Sequence, residues 1–187
     1  MTSKQSDTLT DRARKIKLIA FDVDGVLTNG LMFFGPEGES LKTFHVRDGL
    51  GIALLHSADI KTAIITGRSS AMVKLRAAEL KIDDIYQGTS DKVAAMEQLT
   101  TKYKLDLCEV CYVGDDLNDL SLLDKVGLAC TVADAVDEVR SVSHFTASLS
   151  GGTGAVRQII EMILKSQGKW DSTVAAYWRS GCRGHSQ

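Results

Sequence analysis

Short apolar runs alternate along the chain with stretches of helical periodicity. Residues 16–21 are apolar apart from Lys17 and stop abruptly at Asp22-Val23-Asp24-Gly25. That length suits a strand buried on both faces of a parallel sheet. Residues 61–65 read as a second buried strand, and 82–86, 110–113 and 127–131 as further strands. Between them, Ile52, Leu54, Leu55 and Ala58, then Met72, Leu75 and Leu80, then Val93, Met96 and Leu99 recur at helical spacing. Asp48 is placed to cap the first of these helices and Ser90 the third. Short helices are expected over 120–125 and near 136–139, and a small last strand at Phe145. Val156, Ile159, Ile160 and Ile163 give residues 155–167 one apolar stripe. Strands alternating with helices predict a three-layer, Rossmann-like α/β fold with a mainly parallel sheet.

Residues 30–45 break the alternation. Leu31-Met32-Phe33-Phe34 and Leu41-Lys42-Thr43-Phe44-His45 flank Gly35-Pro36-Glu37-Gly38-Glu39, which reads as a β-hairpin. Its apolar residues either form a contact surface or fold back on their own domain. Residues 1–15 read as a flexible N-terminal arm and 170–187 as a flexible C-terminal tail, leaving 16–169 as one domain. At 187 residues and 44% hydrophobic, the chain supports a single sizeable core. A net charge of −2 gives no basic field for nucleic acid, and no apolar stretch approaches a membrane span. The polar first fifteen residues lack the apolar region of a secretory signal.

Cysteines stand at 108, 111, 130 and 182. Cys108 and Cys111 have redox spacing but run into a strand rather than opening a helix, and no second pair completes a zinc site. They read as reduced thiols, which points to the cytoplasm.

The chemistry gathers where strands end. In an open α/β sheet, ligands bind beyond the carboxyl ends of the strands. Asp22 and Asp24 lie two apart, so they can share a side of the strand as it ends. Two carboxylates there repel unless a proton or a hard cation such as Mg²⁺ lies between them. The same residues also suit an acidic turn closing a strand. Thr66-Gly67-Arg68 at the next strand end suits a phosphate oxygen, or an ordinary strand-to-helix loop. Lys92 sits in a first helical turn, where it opposes the helix dipole. Gly114-Asp115-Asp116-Leu117-Asn118-Asp119 clusters carboxylates again, without the central glycine and closing glutamate of a calcium loop. Gly151-Gly152-Thr153-Gly154 has no lysine after it and is not a nucleotide P-loop.

Taken together and in order, Asp22-Val23-Asp24-Gly25-Val26, Ile64-Ile65-Thr66-Gly67-Arg68, Lys92 and Gly114-Asp115-Asp116-Leu117-Asn118-Asp119 resemble the motifs of the haloacid dehalogenase superfamily of phosphotransferases. The resemblance implies Asp22 as nucleophile, Asp24 as acid and base, and Thr66 and Lys92 as phosphoryl ligands. It implies Mg²⁺ held by Asp22, the Asp24 backbone carbonyl and Asp115, with Asp116 and Asp119 supporting. The intervals between motifs leave no room for a cap domain. Residues 17–169 are similar to a capless branch that acts on sugar-acid phosphates, through the hairpin, His45-Val46-Arg47-Asp48-Gly49, Arg76 and the glycine segment at 151–154. That branch implies hydrolysis of 3-deoxy-D-manno-octulosonate 8-phosphate in lipopolysaccharide precursor synthesis. It implies substrate contacts from Asp24, His45, Val46, Arg47, Asp48, Gly49, Thr66, Gly67, Arg68, Arg76 and Lys92. It also implies a homotetramer in which a neighbour's C-terminal segment covers each site. Ala53 and Thr153 stand where the branch carries arginines, so a nine-carbon sugar-acid 9-phosphate stays open as substrate. A non-catalytic oligomeric module is the remaining alternative.

Overall fold

The computed structural model describes residues 7–181. The chain opens with α1 (Leu9–Lys15) and enters β1 (Leu18–Phe21), every residue of which is buried. A hairpin follows, β2 (Phe33–Gly35) with β3 (Gly38–Leu41). Then come α2 (Val46–Ser57), β4 (Lys61–Thr66), α3 (Ala71–Glu79), β5 (Asp84–Gln87) and α4 (Lys92–Tyr103). The second half runs β6 (Val110–Val113), α5 (Leu120–Leu123), β7 (Leu128–Thr131), α6 (Asp137–Val142) and β8 (Phe145–Thr146). It closes with α7 (Ala155–Ser166) and α8 (Trp170–Gly181).

The sheet has six strands in the order β5-β4-β1-β6-β7-β8, and every pairing within it is parallel. From β1 the chain builds outward through β4 and β5, then returns to the other side of β1 with β6. The strand order therefore reverses between β1 and β6, where doubly wound sheets leave a crevice for ligands. Phe21 is in register with Ile64 on one side and Val113 on the other. Asp22 just past β1, Thr66 at the last position of β4 and Asp115 two residues past β6 thus reach one rim.

Two groups of helices flank the sheet. α1, α2, α7 and α8 pack on one another, and α4, α5 and α6 do likewise. Val156, Ile159, Ile160, Ile163 and Leu164 of α7 are fully buried, as the apolar stripe requires. Gly51 lets α2 approach α7 closely, since a Cβ there would lie 3.1 Å from Ile160 Cδ1.

The structure corrects several local expectations. Helix α2 starts three residues earlier than a cap at Asp48 would allow, with His45 as its N-cap. Asp48 instead reaches across to α7 and accepts the Arg157 backbone N–H at 2.7 Å. Asp91, not Ser90, caps α4, accepting from the Ala94 N–H at 2.9 Å. Both chain ends carry helices where loose segments were expected. α1 is anchored by Gln167 Nε2, which donates to the carbonyls of Ala13 and Ile16 at 3.0 and 2.8 Å. α8 packs on α2 and α7, and Trp170 at its start lies 5.2 Å from the Arg157 guanidinium and 5.3 Å from Lys165 Nζ. Residues 1–6 and 182–187 of the arm and tail, Cys182 included, lie outside the described residues. Cys108, Cys111 and Cys130 are free thiols. Leu31 and Phe34 of the hairpin face outward, 59% and 66% exposed, while its Lys42 turns inward onto Asp24.

Candidate active site

The strand that carries Asp22 ends one residue before it, and the Asp22 N–H is still bonded to Val113 O at 2.9 Å. The carboxylate is therefore fixed to the sheet edge from below. Lys92 opens α4 and is buried, its Nζ 3.2 Å from Asp22 Oδ1. The same ammonium donates to Asp119 Oδ1 at 2.6 Å and to the Tyr112 hydroxyl oxygen at 3.1 Å. A lysine this deep is held by charge partners, since an isolated buried ammonium is strongly disfavoured.

Asp119 is fully buried, and its four acceptor contacts are accounted for. Oδ1 takes Lys92 and the Tyr112 O–H at 2.6 Å; Oδ2 takes the N–H groups of Asp115 and Asp116 at 2.9 and 3.3 Å. These bonds tie the acidic loop and Lys92 to one carboxylate. Asp116 is exposed and closes a turn by accepting from the Leu117 N–H at 2.7 Å.

Asp22, Asp115 and Asp119 each present an oxygen within 4.8 Å of the others. Burial pushes the Asp22 carboxyl up to about 6, opposed by Lys92. Burial first, then the Asp22 charge, pushes Asp115 up to about 8. Asp115 Oδ1 is buried with no hydrogen-bond partner. An orphaned carboxylate oxygen beside a second carboxylate is what a hard cation satisfies, so these residues fit Mg²⁺. Asp119 is the least free of the three to coordinate, because both of its oxygens already accept two donors. Gly25 follows at φ +95°, and a Cβ there would fall 2.0 Å from Asp115 Oδ2. Glycine at this position lets the loop after Asp24 pass the acidic cluster.

Asp24 turns away from this cluster. Its Oδ1 accepts from Lys42 Nζ, and its Oδ2 lies 3.7 Å from Arg68 Nε. Thr66 is buried at the last position of β4, and Gly67 and Arg68 are exposed beyond it. Asp22, Asp24, Thr66, Arg68, Lys92, Asp115 and Asp119 thus share the rim. The other expected substrate contacts gather around a separate cleft between α2 and α3. His45, Asp48, Gly49 and Arg76 line it together with Leu27 and Phe44. His45 Nδ1 lies 4.0 Å from Asp48 Oδ2, and Arg76 Nη1 donates to Glu79 Oε2 at 2.9 Å. Val46 and Arg47 are exposed on the first turn of α2. A cavity of about 560 Å³, lined by Lys17, Glu109 and Lys169, lies at the opposite end of the sheet, where β1 and β6 begin.

The glycine segment packs against the loop after β1. A Cβ on Gly151 would lie 1.6 Å from Gly25 O, and the Gly152 N–H donates to Val26 O at 3.0 Å. The segment braces the loop that follows the Asp22 strand. Arg157 Nε donates to Glu161 Oε1 at 2.8 Å.

Sequence reasoning missed Lys42 and Tyr112. Tyr112 is the one hydroxyl in the run 110–113, which was its available signal. Lys42 interrupts an apolar hairpin arm, between Leu41 and Phe44.

Residues 79–160 match the model of the haloacid dehalogenase-like hydrolase family. The 3-deoxy-D-manno-octulosonate 8-phosphate phosphatase KdsC of Yersinia pestis is 43% identical over 164 residues, 88% of each chain. This chain belongs to the haloacid dehalogenase superfamily, in the octulosonate 8-phosphate phosphatase family. The Escherichia coli K12 member is 44% identical over 160 residues, covering 86% of this chain and 85% of its own. The solved structure of the Moraxella catarrhalis 3-deoxy-D-manno-octulosonate 8-phosphate phosphatase in complex with magnesium, phosphate and KDO matches with a TM-score of 0.87 at 43% identity. That match covers 90% of this chain and 97% of the other. The six-stranded α/β architecture with a small hairpin and no cap domain is the expected one.

Proposed function

We propose that this chain is a Mg²⁺-dependent phosphatase that hydrolyses 3-deoxy-D-manno-octulosonate 8-phosphate through an aspartyl-phosphate on Asp22. The observation that carries the reading is Lys92, buried between Asp22 and Asp119 beside Asp115. A non-catalytic module has no need of a buried ammonium and three converging carboxylates at the switch point of its sheet.

An Asp22 oxygen bonds to phosphorus as the ester P–O bond breaks, and Asp24 gives its proton to the departing sugar oxygen. The Asp24 carboxylate then takes a proton from water, whose oxygen bonds to phosphorus. The bond between phosphorus and Asp22 breaks, releasing phosphate and restoring both carboxyl groups. Lys92 and Thr66 hold the phosphoryl oxygens, and the Lys92 charge offsets the repulsion between Asp22 and the phosphate dianion. Asp22, the Asp24 backbone carbonyl and Asp115 would hold Mg²⁺. When bound, the ion supplies positive charge against the anionic nucleophile and phosphate.

Gly67 and Arg68 beyond β4, and His45, Val46, Arg47, Asp48, Gly49 and Arg76 on and around the cleft between α2 and α3, are the proposed substrate contacts. The outward-facing Leu31, Phe33, Phe34 and Leu41 support a homotetramer assembled through hairpins. Free thiols support a reducing, cytoplasmic setting, and no described helix is long and apolar enough to cross a membrane.

Phosphate release measured over a panel of eight- and nine-carbon 2-keto sugar-acid phosphates tests the reading. The eight-carbon 8-phosphate is expected to give the highest kcat/KM, lost with EDTA and restored by Mg²⁺. A preference for a nine-carbon 9-phosphate would move the assignment to that substrate, and no hydrolysis of any member would overturn it.

A further inference from the structure

Lys42 lies at the base of a hairpin whose neighbouring positions are mostly open to solvent, yet its side chain is only 2% exposed. Burying an ammonium is costly without partners. Its partners are Glu39 Oε1, 3.0 Å away across the end of β3, and Asp24 Oδ1. The sequence thus carries one charged residue from the hairpin inward and places it on Asp24. Asp24 has a second cation nearby, but Arg68 Nε stands 3.7 Å from Oδ2, too far for a hydrogen bond. The two Asp24 oxygens are therefore unequal: Oδ1 is engaged and Oδ2 is available.

We propose that Lys42 is a positioning residue for Asp24, occupying Oδ1 so that Oδ2 is the oxygen that gives and takes the proton. A protonated carboxyl still offers one bare oxygen to Lys42 while its O–H points at the leaving oxygen. A carboxylate offers the same oxygen to Lys42 while Oδ2 faces the attacking water. One contact thus serves both half-reactions and keeps the Asp24 side chain from folding toward the Asp22 and Asp115 cluster. Glu39 in turn fixes Lys42. The inference rests on the proposed acid and base role of Asp24.

Leaving-group dependence is the test. A sugar alkoxide needs a proton to depart, whereas 4-nitrophenolate does not, and kcat/KM reports the step in which either one leaves. Lys42→Met keeps the chain length and removes the donor. It is expected to lower kcat/KM on the octulosonate 8-phosphate about 10- to 100-fold, part of the usual 10²–10⁴ of acid–base catalysis. On 4-nitrophenyl phosphate the loss should stay below about threefold by the same reasoning. Lys42→Gln retains an N–H donor and should recover part of the difference. It also carries the comparison if Lys42→Met does not fold. Equal losses on the two substrates, or no loss on either, would overturn the assignment. Asp24→Asn separates this failure from that of the underlying reading. If Asp24→Asn leaves the ratio of the two substrates unchanged, Asp24 is not the acid. If it skews the ratio and neither Lys42 variant does, Lys42 does not position it.

Discussion

Lys92→Met is expected to destabilise the protein as well as inactivate it, and the size of the effect follows from the contacts. The ammonium is almost wholly excluded from water and faces Asp119 at 2.6 Å and Asp22 at 3.2 Å. Removing one partner of a buried ion pair typically costs about 3–5 kcal/mol, because the remaining charge is left uncompensated. Asp119 keeps its bonds from the Tyr112 O–H and from the Asp115 and Asp116 N–H groups. That retained shell puts the expectation at the lower end, about 3 kcal/mol. For a chain of this length each kcal/mol moves Tm by about 2–4 °C, so a fall of roughly 6–12 °C is expected. Calorimetry of metal-free wild type and variant at equal protein concentration measures it. Tyr112→Phe removes only one neutral donor from Asp119 and should cost about 1–2 kcal/mol. A Tm for Lys92→Met within 2 °C of wild type would refute the claim that this lysine neutralises the buried carboxylates.

Gly151→Ala drives a Cβ into the Gly25 carbonyl oxygen and should fail to fold or lose most of its stability, whereas Thr153→Ala, at an exposed position of the same loop, should melt close to wild type. The Asp115 carboxyl is raised to about 8, so in the metal-free protein its stabilising contribution is full below its unfolded value of 3.8 and lost as pH rises towards 8. Metal-free Asp115→Asn should therefore gain on wild type in Tm steadily between pH 4 and 8, and a constant difference across that range would contradict the shift. Sedimentation should give a tetramer for wild type and smaller species for Phe34→Glu, which puts a charge on the exposed hairpin; a fully active wild-type monomer would remove the assembly proposal.

The parallel sheet was legible because most of its strands read as short, largely apolar runs alternating with helical periodicity, and the rim was legible because carboxylates and a threonine stand where those runs end. Asp22, Thr66 and Asp115 follow from the rule that strand ends converge, whereas Lys92, in the first turn of a helix, stood out only through the family resemblance. What the chain did not disclose depends on contacts between distant segments. Asp48 looks like a local cap, but its partner is the start of α7, 109 residues on. The glycines at 151 and 152 give no local sign of their partner, which is the backbone of residues 25–29. Trp170 lacks an obvious periodic partner until Arg157 and Lys165, one helix earlier, are seen to flank it. Lys42 was hidden for the opposite reason: a surface hairpin gives no local sign that one of its lysines turns inward.

The covalent step on Asp22 is the centre of the account, and borohydride trapping tests it directly. The enzyme is quenched during turnover of the sugar-acid phosphate with Mg²⁺ and treated with borohydride, which reduces an acyl phosphate to an alcohol. Peptide mass spectrometry should find the side chain at position 22 reduced, dependent on substrate and absent from Asp22→Asn, which should also lack turnover. Rapid turnover with position 22 never modified, or normal activity in Asp22→Asn, would contradict the mechanism.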